Sequence, residues 1–198
     1  MNIRRDYKII AGMIGKESKV LDLGCGNGEL MQFLSKEKEA QVQGIELNED
    51  AIYECVEKGL SVFHSDIDTG LSGYPDKSFD YCILNQSLQE VKRIDFVIEE
   101  SLRVASNVIV GFPNFAHIRS RFMLALGGRA PVTQSLPYRW YDTPNLRFLS
   151  IKDFHEFCRE KSLEVVKERY LDGDNDVPFL PNLFALSAII SIKRKGVK

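Results

Sequence analysis

The sequence lacks the features that would place the chain in a membrane or in an oxidising compartment. No apolar run reaches the roughly 18 residues that a membrane helix needs, and the N-terminal segment lacks the apolar core of a signal peptide. Cysteine is scarce, and the four cysteines include no CxxC pair, so we expect neither a disulfide framework nor a cysteine metal site. These absences predict a cytoplasmic protein.

The sequence also lacks a large excess of positive or negative charge. The chain has 26 Lys and Arg against 28 Asp and Glu, a formal charge of −2. A global positive field that would hold nucleic acid or an anionic membrane is therefore excluded, and binding to either would need a local basic patch. The three histidines are far apart in the sequence, so no paired-histidine metal site is predicted.

What is present is the composition of an ordinary globular domain. The chain has 198 residues, of which 44% are hydrophobic and 27% charged, and this length favours a single domain over residues 1–198. Short runs of β-branched and aliphatic residues alternate with stretches of helical period, which is typical of a parallel sheet covered by helices. The predicted strands are 19–24, 42–46, 60–66, 79–85, 107–112, 163–171 and 183–194.

The last two predicted strands are too close in sequence for a crossover connection and are expected to pair antiparallel. The pattern therefore predicts an α/β fold, a doubly wound seven-stranded Rossmann-like sheet that is mostly parallel with an antiparallel closing strand. Between its two parts, residues 113–148 carry prolines, a Gly-Gly pair and aromatics without sustained periodicity. We expect this segment to be an irregular insertion or lid. Regularity returns at Ser150, where Ser150 and Asp153 form a capping-box pattern.

A glycine turn follows the first predicted strand. Asp22 is followed by Gly24, Gly26 and Gly28, which allow a sharp turn and let a ligand lie against bare backbone. An acidic residue, Glu46, ends the second strand, where its carboxylate can accept hydrogen bonds from ribose hydroxyls. Turn and acid together predict a nucleoside-binding site.

Two kinds of nucleotide compete for this site. The nicotinamide-type pattern G-x-G-x-x-G needs a glycine at position 29, where this chain has Glu29, whose carboxylate would repel a pyrophosphate. A cationic ligand with adenosine but no phosphate, such as S-adenosylmethionine, fits better. The run from Val20 to Gly28 resembles motif I of the class I methyltransferases.

That resemblance implies roles for residues at the ends of the first four strands. Asp22 would lie near the methionine ammonium, Glu46 would accept from the ribose, and Asp66 with Ile67 would hold and cover the adenine. The implied binding residues for S-adenosylmethionine or S-adenosylhomocysteine are Asp22, Gly24, Cys25, Gly26, Glu46, Leu47, Asp66, Ile67 and Asn85.

Later motifs resemble one family within that superfamily. The runs 85–89, 111–115, 131–145 and 151–154 are similar to the methionine biosynthesis protein MetW family. The resemblance implies an accessory or regulatory role in methionine biosynthesis, with a homoserine O-acyltransferase as the partner. An active S-adenosylmethionine-dependent methyltransferase acting on a small metabolite is the alternative.

No catalytic base is identified by spacing. The Asn-Pro-Pro-Tyr motif of base- and amide-methylating enzymes is absent after strand four. Four isolated candidates remain: Glu90, His117, Tyr138 and Asp142.

The segment 131–145 has three interpretations. It would fold over the cofactor as a lid with Tyr138, Trp140 and Tyr141 as an apolar wall, form a protein interface with Arg139, or pack as an irregular insertion against the sheet. The sequence alone leaves the three open.

Overall fold

The computed structural model describes residues 3–196, which form one sheet with helices on both faces. The strands are β1 (Lys19–Leu23), β2 (Gln41–Glu46), β3 (Ser61–His64), β4 (Phe79–Asn85), β5 (Ala105–Pro113), β6 (Leu163–Asp172), β7 (Asn175–Asp176) and β8 (Ser187–Arg194). The helices are α1 (Arg5–Met13), α2 (Glu29–Lys38), α3 (Glu49–Glu57), α4 (Ile94–Val104), α5 (Ile118–Gly127), α6 (Ile151–Glu160) and α7 (Pro181–Phe184).

The sheet order is β3-β2-β1-β4-β5-β8-β6-β7. The first five strands are parallel, and β8 runs antiparallel to both β5 and β6. This confirms the doubly wound, mostly parallel sheet with an antiparallel closing strand. There are eight strands rather than seven among the described residues, because the two-residue β7 forms a short hairpin with β6.

Side-chain alternation along the central strands builds the core on both faces of the sheet. In β1, Leu21 and Leu23 pack with buried residues of α4 and α6, whereas Val20 packs with residues of α1 and α2. Successive strand residues point to opposite faces, so Asp22 lies on the α1 and α2 side. It is 2% exposed there, which places a carboxylate inside the fold at the end of β1.

The prediction of an irregular segment over 113–148 is wrong for Ile118–Gly127, which form α5. The helix was missed because residues 122–126 form a continuous apolar run rather than a helical stripe, and Phe122, Leu124 and Leu126 are exposed. Residues 128–149 form neither helix nor strand. The capping box ahead of α6 is confirmed, since Ser150 and Asp153 bond each other's backbone N–H.

Gly28 fixes the start of α2 against its neighbours. Its φ is +77°, and a Cβ at this position would meet the Cys55 Sγ at 2.9 Å and would clash with the Leu60 side chain. We expect Gly28→Ala to lower the free energy of unfolding by about 2 to 4 kcal/mol, because backbone strain adds to overpacking. Urea unfolding followed by circular dichroism measures this loss.

Gly59 provides the matched control. Its φ is +71°, but nothing lies within 4 Å of a Cβ built there. Gly59→Ala should cost about 1 to 2 kcal/mol through backbone strain alone. Equal losses in the two variants would mean that packing around Gly28 adds nothing.

Candidate functional site

A cavity of about 610 Å³ opens at the carboxyl ends of β1, β2 and β4 and beside the turn after β3. Its volume lies in the range of small-molecule sites. The structure brings all nine predicted binding residues together around this first cavity: Asp22, Gly24, Cys25, Gly26, Glu46, Leu47, Asp66, Ile67 and Asn85.

The glycine turn is held against the rest of the sheet by backbone bonds. Gly24 N and Cys25 N both donate to the Ile45 carbonyl, at 2.8 and 3.1 Å. Gly24 has a φ of +73°, and a Cβ there would lie 2.8 Å from the Ser87 Cβ. The turn therefore presents bare backbone to the cavity at a position where a side chain does not fit.

Glu46, the last residue of β2, organises the turn with its carboxylate. Its Oε2 accepts a hydrogen bond from Gly26 N at 2.8 Å, and its Oε1 accepts from Leu47 N and Asn48 N at 2.8 and 2.9 Å. An ionised carboxylate has about four acceptor sites. One site therefore remains for a donor in the cavity.

Asp22 gives the cavity a buried carboxylate without a cation. Burial and the neighbouring Glu46 carboxylate raise the pKa of Asp22 to about 7, and no hydrogen bond or cation among residues 3–196 offsets them. A ligand ammonium would supply the missing positive charge and lower this pKa.

The raised pKa of Asp22 predicts pH-dependent binding of a ligand that carries an ammonium group. Asp22 is protonated in the unliganded protein below pH 7, so the ammonium meets a neutral group there. We expect the affinity for S-adenosylhomocysteine to fall by about tenfold per pH unit at most between pH 7 and pH 5.5. Calorimetry across this range measures the change, and Asp22→Asn should bind weakly with a flat profile.

The raised pKa of Asp22 also makes the stability of the unliganded protein depend on pH. A carboxyl whose pKa rises from 3.8 to about 7 on folding contributes stability at low pH, which is lost as the pH rises through 7. Asp22→Asn should therefore raise the free energy of unfolding at pH 8 by about 1 to 3 kcal/mol. A thermal midpoint that falls instead would assign Asp22 a structural role.

The adenine end predicted from the sequence lies beside the turn after β3. Asp66 caps a short 3₁₀ turn, where its Oδ1 accepts from Asp68 N at 2.9 Å. Ile67 packs partly against the core, and Leu47 is 57% exposed next to Glu46. This end of the cavity therefore combines apolar surface with a carboxylate.

Asn85 connects the cavity to the N-terminal helix. Its Nδ2 donates to the Asp6 Oδ2 at 3.0 Å, and Asp6 forms an ion pair with Arg4 at 2.7 Å. The Asn85 Oδ1 is buried and accepts no hydrogen bond within residues 3–196. Arg4 lies over the Tyr7 ring, 4.5 Å from its centroid, and both side chains line the cavity.

Sequence reasoning missed Arg4, Asp6 and Tyr7. The spacing of Ile10 and Met13, which are buried in α1, is a helical signal. It does not indicate where the helix packs, because the Asp6–Asn85 contact joins residues 79 positions apart.

The four candidate bases fall into two groups. Glu90 lines the first cavity and a second cavity beside it, and Tyr138 lines the second. His117 is buried as the N-cap of α5, where its Nδ1 accepts from Arg119 N at 3.2 Å and burial lowers its pKa. Asp142 accepts from Arg139 N in a surface turn. Of the four, Glu90 and Tyr138 line the first or the second cavity, whereas His117 and Asp142 line neither.

The segment 131–145 contributes no residue to the lining of the first cavity. Trp140 and Tyr141 form an edge-to-face pair at 5.6 Å and are 77% and 62% exposed. Leu136 is buried and anchors the segment. In this structure its aromatic tip faces solvent rather than the predicted cofactor.

The cysteines are buried and free. Burial raises the pKa of the Cys25 thiol, which keeps it protonated and a poor nucleophile. No three His, Cys, Asp or Glu side chains converge as metal ligands would within the part of the chain that the structure describes.

The family follows from comparison with known proteins. A model of the family described as methionine biosynthesis protein MetW matches residues 4–192. The chain belongs to the MetW family. The bifunctional methionine biosynthesis protein MetXA/MetW of Rhodopirellula baltica is 32% identical over 208 residues, which cover 96% of this chain and 33% of that protein. The chain thus spans about a third of this relative's length.

Solved structures share the fold of this MetW family member. An S-adenosylmethionine-dependent methyltransferase from Mesorhizobium loti aligns with a TM-score of 0.71 and 15% identity over 96% of this chain and 98% of that one. A possible histamine N-methyltransferase from Thermotoga maritima aligns with a TM-score of 0.68 and 17% identity, over 96% and 88% of the two chains. These likenesses confirm the Rossmann-like methyltransferase fold. Helices in residues 3–196 fall short of the length and apolarity that a membrane crossing requires.

Proposed function

We propose that this MetW family member binds S-adenosylmethionine or S-adenosylhomocysteine in the first cavity and acts as an accessory partner of a homoserine O-acyltransferase. The observation that supports this choice of ligand is the negative charge of the side chains that line the cavity around the glycine turn. Six acidic and two basic side chains line it: Asp22, Glu29, Glu46, Asp66, Asp68, Glu90, Arg4 and Lys92. This negative lining favours a cationic ligand over a pyrophosphate.

The lining residues fit the parts of such a ligand. The free acceptor site of Glu46 suits a ribose hydroxyl, and the unpaired Asp22 carboxylate suits the ammonium. We assign the carboxylate of the methionyl moiety to Arg4, a lining cation that also pairs with Asp6. S-adenosylmethionine, when bound, supplies an electrophilic methyl group on a sulfonium.

The fused relative supports the acyltransferase as partner. One polypeptide in R. baltica, described as bifunctional, combines a MetXA part with a MetW part, and we take the MetXA part to be the homoserine acyltransferase that the family resemblance implies. Fusion of two chains is a frequent outcome where separate proteins act together, so we extend the association to this chain.

The structure offers a surface for such a partner. Residues 114–149 contain five arginines and one aspartate, a net charge of +4 in a chain whose total is −2. None of these arginines forms an ion pair within residues 3–196. Arginine, tryptophan and tyrosine are enriched at binding hot spots. We name this region the basic aromatic surface: Phe122, Leu126, Arg129, Arg139, Trp140 and Tyr141.

Hydrogen bonds connect the 128–149 segment, which carries Arg139, Trp140 and Tyr141, to a turn at the first cavity. The Gln89 carbonyl, in the turn after β4, accepts from Leu146 N and Arg147 N at 2.9 and 3.0 Å. Gln86 and Glu90 of the same turn line the cavity. A ligand that changes the position of this turn would change the 128–149 segment, which is how the cofactor would influence the partner.

Two measurements test the proposal. Calorimetry with S-adenosylhomocysteine should detect binding to the first cavity, and a tagged acyltransferase from the same organism should co-purify with this chain. Absence of ligand binding in a folded protein would overturn the first part. Failure to associate at micromolar concentrations, with and without the ligand, would overturn the second.

One observation favours the alternative of an active methyltransferase. Glu90 lies between the two cavities, and burial together with Glu46 raises its pKa, which suits a general base. Turnover of methyl-labelled S-adenosylmethionine in a cell extract, abolished by Glu90→Gln, would establish this activity.

A further inference from the structure

A second cavity of about 620 Å³ adjoins the first, and Arg4, Gln86 and Glu90 line both. Its floor is formed by the ends of β5 and β6 and the start of β8. Its walls come from the start of α1 and from the 131–145 segment. Most of its lining side chains are polar or charged, so the cavity suits a hydrophilic small molecule rather than a hydrocarbon.

The backbone between the two cavities is strained. Gln86 has a φ of +64°, a conformation that is unfavourable for a residue other than glycine and that is concentrated at functional sites. The strain is held in place by short hydrogen bonds, since Gln86 N donates to the Gly111 carbonyl at 2.7 Å and the Gln86 carbonyl accepts from Gln89 Nε2 at 2.6 Å.

Gln89 leaves a polar atom without a partner at this cavity. The residue is 4% exposed, and its Oε1 accepts no hydrogen bond within residues 3–196. A buried acceptor without a donor lowers the stability of the fold, because it has lost its hydrogen bonds to water. A ligand that carries an N–H or O–H group would satisfy it.

Charges of both signs surround this acceptor. Arg5 lines the cavity, and its Nε–H donates to no acceptor in the described residues, while the end of its guanidinium pairs with Asp176 at 3.1 Å. Glu90 and Asp174 supply carboxylates. We propose that the second cavity binds a small amino acid as a zwitterion, with its carboxylate on Arg5 and its ammonium on Gln89 and Glu90.

This amino-acid site goes beyond the proposed function. It rests on that function only in so far as S-adenosylmethionine or S-adenosylhomocysteine would occupy the adjoining first cavity. A dicarboxylate would meet the carboxylates of Glu90 and Asp174, and a diamine would meet the guanidinium groups of Arg4 and Arg5. A zwitterion matches both sets of charges, so the lining favours an amino acid over molecules of a single sign.

Three probes that differ by one charged group test the proposal. L-Homoserine carries both charges, 3-amino-1-propanol lacks the carboxylate, and 4-hydroxybutyrate lacks the ammonium. Amide chemical shifts of the full chain, titrated with each probe with and without saturating S-adenosylhomocysteine, should show homoserine binding at least about tenfold more tightly than either truncated probe.

Variants assign each charge to its residue. Arg5→Gln should lower the affinity for homoserine by about tenfold or more and leave the affinity for 3-amino-1-propanol unchanged. Gln89→Leu should lower the affinity for homoserine and for 3-amino-1-propanol, and leave the affinity for 4-hydroxybutyrate unchanged. Arg169→Gln, on an exposed arginine of β6, should change none of them. Arg5 forms only an exposed ion pair, so Arg5→Gln remains informative if Gln89→Leu does not fold.

Three outcomes would overturn the second cavity as an amino-acid site. They are equal affinities for the three probes, no homoserine binding up to about 10 mM, and homoserine that S-adenosylhomocysteine displaces competitively. Homoserine binding in a protein that fails to bind S-adenosylhomocysteine would contradict the proposed function and leave this site intact.

Discussion

Replacing Glu46 by alanine is expected to weaken S-adenosylhomocysteine binding by about 100-fold or more. The variant loses the charged acceptor that we assign to the ribose. It also releases Gly26 N, which the Glu46 Oε2 holds at 2.8 Å, so the glycine turn loses the geometry that brings bare backbone to the ligand. Calorimetry at pH 8, where the Asp22 carboxylate is ionised, measures the loss.

Asn48→Ala is the matched control for Glu46→Ala. Asn48 belongs to the same turn and caps α3 by accepting from Ala51 N at 3.0 Å, but it does not line the first cavity. Its loss should lower stability by about 1 kcal/mol and leave the affinity within about threefold. If folded Glu46→Ala protein also binds within that margin, the assignment of Glu46 to the ribose is wrong.

Replacing Trp140 or Tyr141 by alanine is expected to weaken association with the acyltransferase by about 30-fold or more each. Both rings are largely exposed on the basic aromatic surface, beside an Arg139 whose guanidinium donates to the Tyr141 hydroxyl at 3.0 Å. Burying such rings against a partner removes a large apolar area from water. Since neither residue lines the first cavity, S-adenosylhomocysteine binding should be unchanged.

Tyr53 provides a control of the same residue type and similar exposure. It is 66% exposed on α3, against 62% for Tyr141, and α3 packs near the β3 edge of the sheet. Tyr53→Ala should leave the association unchanged. Equal effects of Tyr53→Ala and Tyr141→Ala would contradict the assigned surface.

Much of the sheet was predictable because each buried strand is a short run of β-branched and aliphatic residues, which is visible in the local sequence. The predicted strand 79–85 matches β4, and the central strands differ only at their ends. The short hairpin of β7 and the helix α5 were not predicted, since neither carries a periodic apolar pattern.

The sequence by itself determined the glycine turn, the family resemblance and nine of the residues that line the first cavity. Parallel strands bring their carboxyl ends to one edge, so Asp22, Glu46, Asp66 and Asn85, each at or near a strand end, had to meet. Only the tertiary structure decided how the N-terminal helix reaches Asn85, and where the second cavity and the exposed Trp140 lie. These depend on packing between distant segments, which no local pattern encodes.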